Sequence, residues 1–549
     1  LTRNLLIIAI FVLAFTVRFV DLGTHFAHYD DVFPAVDILK TQENDFRRQL
    51  LDRIYDQTKS SYHDKQKVFV RKIYENPKTR FIFETGVNLG KFIIVPMNST
   101  SAPIQFAIIA LLINKNMDYR TILFFSRLPS FIFGLLTIVL LYFILPRKTS
   151  TAGLLFGLLI AVLSLESIIY TKQATSYMIA AFSAAGLLLL FQQAQKNNFF
   201  QKYWFFSGLL TAFFTYTSYQ LVFFWPAYYL ANLRYKYLDK REIKFLIYSG
   251  FLNLLFCLPV LYYLFFVNTS GHGGYTIGKY GEFLFSPAGK NVFIYPLVFF
   301  LKNTFLVITN TLAPVTAHNP FFWFFGLFFC LTLLYGLKKT YRQPEGLFIL
   351  VSFGVYFSLV FCQKLALTPT RQALVYLPLL IYLIAHGLPE FKTKTLLSGL
   401  LIYLGIFFCF FPGFVQERQD KINETELTRV LEQYNPDLII AYGYTRNLAL
   451  FRAVKQKFNY FEQENLFLNR PLRYKTLVMA STQYPLNQDW FYTSQELWNQ
   501  KNLKPVWRNT FGQYKIIYQK ISTSNIEIEP NNWNTNGSNN LFFYVLTLR

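Results

Sequence analysis

Two adjacent carboxylates, Asp30 and Asp31, lie a few residues beyond a strongly apolar segment, residues 4–20, and His28 precedes them. A carboxylate beside the membrane surface could act as a general base on an acceptor hydroxyl. Two neighbouring carboxylates could instead ligate a divalent cation. The simpler alternative is that both acids are solvated loop residues. The segment around 25–35 is therefore the first candidate for chemistry.

The composition places these acids in a membrane protein. The 549 residues are 53% hydrophobic and 19% aromatic, and the mean hydropathy is +0.28. A bilayer core about 30 Å thick needs roughly 20 apolar residues per helix, and such runs recur to about residue 412. Many of the Lys and Arg residues behind the net charge of +23 lie in short loops between apolar runs. That is the positive-inside pattern, so we expect no nucleic-acid partner.

Eleven apolar segments are clear and two are ambiguous. The ambiguous ones are 102–113, which is short for a span, and 292–312, which Pro296 and Lys302 interrupt. The clear spans are approximately 4–20, 125–146, 152–170, 176–193, 203–217, 219–233, 245–266, 320–337, 346–363, 372–388 and 395–412. This pattern predicts an α-helical polytopic fold.

The loop charges favour eleven spans with the N-terminus inside. The basic loop 234–244 then lies inside, and the short outside loops carry only Lys172, Lys364 and Arg371. Counting both ambiguous segments would put that richest basic loop outside, against the positive-inside pattern. We therefore expect about eleven transmembrane helices, and at most thirteen.

Three large regions are then expected outside the membrane. They are a loop at 21–124 that contains the paired acids, a loop at 267–319 that contains His272, and the tail at 413–549. Helix-like and strand-like stretches alternate along the tail, which predicts a small external α/β domain. The predicted organisation is a transmembrane domain at 1–412 followed by this C-terminal domain.

Five stretches resemble motifs of one enzyme family, in the same order. They are "HYDDVFPA", "SAPIQFAIIALL", "SRLPSFIFGLLTIVLLYFI" (126–144), "SLESIIYTKQATSYMIAAF" (164–182) and "TRQALVYLPLLIYLIAHGL" (370–388). The chain resembles membrane glycosyltransferases of the C superfamily, in particular the family 39 protein mannosyltransferases. It is also similar to their bacterial relatives that transfer aminoarabinose or galacturonic acid to lipid A.

The resemblance implies roles for several residues. Asp30 falls on the family's catalytic base, and Asp31 takes the place of the usual glutamate. Arg127 heads the Arg-Leu-Pro-Ser motif, and Arg371 falls on an arginine that faces the donor's lipid phosphate in relatives.

The chain departs from the family in the turn after residue 170. Gln173 stands where the family has glutamate, Thr175 stands where it has arginine, and Lys172 lies beside them. The missing acid argues against a tight metal site, so no cofactor is assigned and a divalent cation is only weakly supported. Glu166 lies nearby, at a position where the family is apolar.

The cations suit a phosphate at the membrane surface. Arg guanidinium groups match phosphate oxygens in a bidentate fork, and Arg127 and Arg371 fall at the expected outer ends of spans. The alternative is that both snorkel to lipid headgroups. Lys172 and Lys364 are the other phosphate-binding candidates. Candidate substrate contacts are His28, His272, Gln173 and Tyr177.

The resemblance implies transfer of a sugar from a polyprenyl-phosphate donor to an acceptor hydroxyl, with inversion. The acceptor could be a glycolipid, a glycan or a protein. We expect a multi-pass protein of a bacterial inner or plasma membrane, with the catalytic loops and the C-terminal domain external (periplasmic). A lipid or glycan transporter or flippase, or a non-catalytic relative, is the alternative. Transporters usually show internal repeats and ionisable residues deep in their spans. In this sequence no internal repeat is seen, the spans are nearly free of charge, and the acids cluster outside them.

Overall fold

The structure is a computed structural model that describes most of the helical part of the chain and five strands near its end. The described residues are 2–20, 22, 103–114, 116–145, 149–236, 239–262, 283–286, 294–317, 319–362, 366–368, 371–417, 433–436, 438–442, 459–462, 476–481, 514–522 and 541–548. The chain divides into two compact units: one comprises Leu1–Val20, Arg48–Leu111 and Arg127–Phe411, and the other comprises Asp21–Arg47, Leu112–Ser126 and Pro412–Arg549.

The described part of the chain before residue 418 is helical. The helices are α1 (Thr2–Phe19), α2 (Pro103–Leu112), α3 (Tyr119–Ile144), α4 (Thr151–Leu163), α5 (Leu165–Thr171), α6 (Tyr177–Ala194), α7 (Phe199–Thr217), α8 (Trp225–Lys236), α9 (Lys240–Tyr262), α10 (Ile294–Leu312), α11 (Phe321–Thr340), α12 (Pro344–Phe361), α13 (Leu377–Gly387) and α14 (Thr393–Glu417). Short 3₁₀ helices, Tyr219–Phe224 and Arg371–Tyr376, lead into α8 and α13.

Several of these helices can cross a membrane by length and composition. Among the described residues, five qualify: Arg120–Ile144, Tyr177–Ala194, Phe321–Thr340, Pro344–Phe361 and Lys394–Gly413. The pair α4 and α5, bent by 52°, makes a sixth if it is counted as one span. This architecture is that of a polytopic membrane protein, and the count of eleven spans stays a prediction.

The two ambiguous segments are both helical. The helix α2 has 10 residues, too few to cross a bilayer core. The helix α10 runs unbroken for 19 residues, so Pro296 and Lys302 interrupt the apolar pattern of the segment but not the helix. Pro296 lies in the first turn, where its missing N–H has no helical partner to lose. Lys302 has an exposed side chain.

The helix α3 begins earlier than the span expected from residue 125. Asp118 caps it, because one carboxylate oxygen accepts the Thr121 backbone N–H at 3.0 Å and the other accepts the Thr121 hydroxyl at 2.6 Å. A side-chain oxygen that satisfies a free N–H of the first turn stabilises a helix start.

The helix α13 lies at the centre of the helical unit. All its residues are buried, and it packs against α11 and α4. The approach to α11 is so close that a Cβ at Gly336 would overlap the carbonyl oxygen of Leu383. Large apolar side chains such as Phe206, Phe251 and Phe324 are exposed instead, as lipid contact requires.

The C-terminal unit contains a five-stranded sheet. Its strands are β1 (Leu438–Tyr442), β2 (Asn459–Glu462), β3 (Thr476–Ser481), β4 (Tyr514–Ser522) and β5 (Leu541–Leu548). They lie in the order β2-β1-β3-β5-β4. The strand β1 pairs parallel with β2 and β3, whereas β5 pairs antiparallel with β3 and β4. The segments between the strands lie outside the described residues, so the α/β domain remains a prediction.

Candidate active site

A buried polar turn joins α5 to α6. Lys172, Gln173 and Thr175 are all less than 5% exposed. The Lys172 backbone N–H ends α5 by hydrogen bonding to the carbonyl oxygens of Ile168 and Ile169. Burying polar side chains without partners is costly, so a turn of this composition between two apolar helices calls for an explanation beyond chain reversal.

Three stretches of the proposed family motifs meet at this turn through two hydrogen bonds. The Gln105 side-chain amide of α2 donates to the Ser130 hydroxyl of α3 at 3.2 Å. The Ser130 hydroxyl donates in turn to the backbone carbonyl oxygen of Thr175 at 2.9 Å. Gln105 and Ser130 are buried, so this chain fixes α2 and α3 against the turn in a region without solvent.

A close helix approach tightens the same contact. A Cβ placed on Gly134, one turn beyond Ser130 in α3, would lie 2.7 Å from the hydroxyl oxygen of Thr171. Only glycine leaves room for the end of α5 at this position. The helix α3 is therefore held against both α5 and the turn that follows it.

Arg127 is fully buried. It precedes Ser130 by three residues in α3, so the two residues are neighbours on the helix surface. Burial inside the protein disagrees with the alternative that Arg127 snorkels to lipid headgroups. An arginine in such a place brings five N–H donors in a fixed fork, which suits a phosphate or carboxylate group.

Lys172 is a second buried cation, at the start of the turn. Its ammonium group lies 5.7 Å from the centroid of the Phe411 ring in α14, within the range of a cation–π contact. The Ser130–Thr175 hydrogen bond joins the helix of Arg127 to the turn of Lys172, and each buried cation favours an anion near it.

The turn also carries oxygen atoms with unused hydrogen-bonding capacity. Among the described residues, Gln105 Oε1, Gln173 Oε1 and the Thr175 hydroxyl are buried and have no hydrogen-bond partner. Such atoms cost about 1–3 kcal/mol each when they stay unsatisfied. Oxygens of this kind suit a ligand that is rich in hydroxyl groups.

Two further residues flank the turn. Tyr170 and Tyr177 pack edge to face across it, with ring centroids 5.4 Å apart. Glu166 lies in the first turn of α5, where a carboxylate interacts favourably with the helix dipole.

The remaining predicted site residues lie beyond the described structure. Asp30, Asp31, His28, His272 and Lys364 fall outside the described residues. Arg371 begins the 3₁₀ helix before α13, and only its backbone is described. Among the residues that the structure does describe, no group of three or more His, Cys, Asp or Glu side chains could hold a metal ion.

Sequence reasoning missed Gln105 and the bridging role of Ser130. Both lie inside stretches already singled out by their resemblance, and a polar residue within a short apolar helix was the available signal. Arg18 was also missed, although it is a charged residue near the end of an apolar run.

Comparison with known proteins bears on this region directly. Residues 103–263 match the family model for dolichyl-phosphate-mannose-protein mannosyltransferase. This segment is mannosyltransferase-like. The match confirms the resemblance that the motifs indicated and supports a membrane glycosyltransferase of the C superfamily. No curated protein and no solved structure matches the chain.

The mannosyltransferase-like segment runs from the start of α2 to the end of α9. It therefore contains every residue of the hydrogen-bonded cluster around the buried turn. Asp30, Asp31 and Arg371 fall outside it, so their roles depend on the shorter motifs alone.

Proposed function

We propose that this chain transfers a sugar from a polyprenyl-phosphate carrier to an acceptor hydroxyl at the external membrane face. The observation that carries the proposal is the hydrogen bond from Ser130 to the buried 172–175 turn inside the mannosyltransferase-like segment, with Arg127 buried one helical turn before Ser130. A lipid-linked sugar phosphate has an anionic group beside a hydroxyl-rich ring, and the site offers buried cations beside unsatisfied oxygens.

In this proposal the cations hold the phosphate. A phosphodiester carries one negative charge, and Arg127 with Lys172 can neutralise it while the bond to the sugar breaks. Arg371, by its motif position, and Lys364, in the loop that precedes it, are the further candidates for the same phosphate. Preorganised charges aimed at a leaving group lower the barrier because they need no reorganisation during the reaction.

The unsatisfied oxygens are proposed to accept hydrogen bonds from sugar hydroxyls. Gln173 Oε1 and the Thr175 hydroxyl lie in one turn, and Gln105 Oε1 is tied to it through Ser130. Tyr177, His28 and His272 are the remaining candidate contacts.

Asp30 is the proposed general base, with Asp31 beside it. Asp30 would take the proton from the acceptor hydroxyl, whose oxygen attacks the anomeric carbon as the bond to the phosphate oxygen breaks. The lipid phosphate leaves with the bonding electrons, and a single displacement inverts the anomeric centre. A glycolipid, a glycan or a protein could supply the hydroxyl.

The experiment measures release of polyprenyl phosphate from labelled hexose and pentose donors by the purified protein in lipid nanodiscs. Asp30→Asn should slow transfer by roughly 10²–10⁴-fold, and Asp31→Asn should cost less. The matched control is Asp118→Asn, a change to a carboxylate that caps α3. Near wild-type turnover in Asp30→Asn would remove it as the base, and no release from any donor would reject the reaction.

The external orientation can be tested separately. Cysteines introduced at Ser60 and Ser538 should react with a membrane-impermeant maleimide from the outside of intact cells. Labelling that requires opening of the cells would place these segments on the inner side.

A further inference from the structure

The break between α4 and α5 leaves polar backbone groups inside the membrane domain. The two helices are bent by 52° about Ser164. The last carbonyl groups of a helix have no partner within it, and a lipid environment offers them no water. Something in the protein must therefore satisfy the end of α4.

Arg18 occupies that end. Its guanidinium group is fully buried and donates to the carbonyl oxygen of Val162 at 2.9 Å and to that of Ala161 at 3.0 Å. It also donates to the Ser167 hydroxyl, across the break in α5, at 3.0 Å. One side chain from α1 thus binds both halves of the bent pair.

The other side of the break is closed by α10 and the residues that follow it. The Ser164 hydroxyl accepts the Ser167 backbone N–H at 3.1 Å and donates to the carbonyl oxygen of Thr311 at 2.7 Å. The Leu165 backbone N–H donates to the carbonyl oxygen of Ala313 at 3.1 Å. Broken helices in transporters present unpaired backbone groups to ions. At this break the backbone groups named above form hydrogen bonds within the protein.

Ser167 connects this joint to the buried turn. The Thr171 hydroxyl, one residue before the turn, donates to the Ser167 carbonyl oxygen at 2.6 Å. The Ser167 hydroxyl lies 4.0 Å from the sulfur of Met178, in the first turn of α6. Ser167 therefore touches the chain on both sides of residues 172–176 while Arg18 holds it.

We infer that Arg18 is a positioning residue for the 172–176 turn: its guanidinium fixes the bend between α4 and α5 and thereby where Lys172 and Gln173 lie. The expected effect on donor binding rests on the proposed function. The expected effect on the position of the turn does not. Lysine at this position keeps the charge but loses the fork that reaches three oxygens at once.

The structural arm uses thiol labelling. Gln173→Cys is placed in a background in which the four native cysteines are replaced, and maleimide reactivity is compared with and without Arg18→Lys or Ser167→Ala. Loss of even one charge-assisted hydrogen bond should speed labelling roughly 10-fold. Arg3→Lys, at an exposed position on the same helix, is the matched control and should leave the rate unchanged.

The functional arm uses the donor kinetics of the same variants with Gln173 retained. Displacement of the turn should raise the donor KM roughly 10-fold in Arg18→Lys, because charge-assisted contacts to the donor are lost. A role in folding alone would lower the active fraction, and so the apparent kcat, without changing KM.

Two results would overturn the inference. One is a labelling rate in Ser167→Ala equal to that of the control. This result would overturn the inference even if Arg18→Lys does not fold. The other is a labelling rate in folded Arg18→Lys equal to that of the control. Faster labelling with an unchanged donor KM would overturn the consequence for catalysis alone. If the wild-type protein transfers no sugar, the proposed function fails and the labelling arm still tests the joint.

Discussion

The Ser130 hydroxyl donates a hydrogen bond to the Thr175 carbonyl oxygen, 45 residues further along the chain, at 2.9 Å. The bond gives the Arg-Leu-Pro-Ser stretch a physical role, because its serine ties α3 to the buried turn. Arg127, one turn earlier on the same helix, is also buried.

Replacement of Ser130 by alanine should loosen the site. The Gln105 amide loses its acceptor and the Thr175 carbonyl loses its donor, at a cost of about 1–3 kcal/mol for each buried group. We expect a lower thermal unfolding midpoint and weaker donor binding. Ser358→Ala is the control, since its exposed hydroxyl bonds only within its own helix, to Gly354. Equal effects of the two changes would contradict the assignment.

Replacement of Lys172 by glutamine should weaken donor binding selectively. A charge-assisted hydrogen bond to phosphate contributes about 1.5–3 kcal/mol, or roughly 10- to 150-fold in affinity. Donor titration by fluorescence measures the effect. Lys302→Gln removes an exposed lysine from α10 and should bind donor like the wild type. Unchanged donor affinity in Lys172→Gln would exclude a phosphate role.

The cap at Asp118 should make the start of α3 sensitive to acid. Hydrogen bonds from the Thr121 hydroxyl and backbone N–H hold the pKa of the Asp118 carboxyl below its ordinary value of 3.8. A depressed pKa contributes stability that is present above the ordinary value and is lost as the pH falls through the lower, folded-state value. Asp118→Ala should cost about 1 kcal/mol at neutral pH.

Hydrogen exchange of the first turn of α3, followed between pH 7 and strongly acidic pH, measures the Asp118 contribution. The wild type should lose protection only at the acidic end, and Asp118→Ala should show the weaker protection throughout. A difference between the two proteins that persists unchanged at the lowest pH would contradict the proposed cause.

Replacement of Gly336 by alanine should disrupt the contact between α11 and α13. The new methyl group would overlap the Leu383 carbonyl oxygen, and overpacking of a core costs about 1–3 kcal/mol or more. The matched control is Gly354→Ala, because a Cβ there meets no atom within 4 Å. Alanine in an exposed helix is favoured over glycine by up to about 1 kcal/mol. Thermal unfolding in detergent should therefore separate the two variants.

The helices could be placed from the sequence because apolar runs of membrane length leave little choice of structure. The bend at Ser164 could not, since the segment 152–170 is apolar overall and its few polar residues do not break a helix by themselves. The bend is stabilised by Arg18, 144 residues before Val162, and a local pattern carries no sign of so distant a donor.

The sequence predicted several of the residues that belong to the site. It did not predict which of them form hydrogen bonds with one another. Arg127, Lys172 and Gln173 were singled out by resemblance, and all three are buried at or beside one turn. The link from Gln105 through Ser130 to Thr175 depends on how three helices pack. Such contacts follow from tertiary structure rather than from hydrophobic periodicity.

The capping of α4 by Arg18 also has a consequence for how the protein is made. Ribosomes add roughly 5–20 residues per second. The carbonyl groups of Ala161 and Val162, 143 and 144 residues downstream, therefore arrive roughly 7–30 s after Arg18. Until then its guanidinium must stay among water and lipid headgroups, where a long cationic side chain can reach. We therefore expect α1 to reach its final depth in the bilayer only after α4 has been inserted beside it.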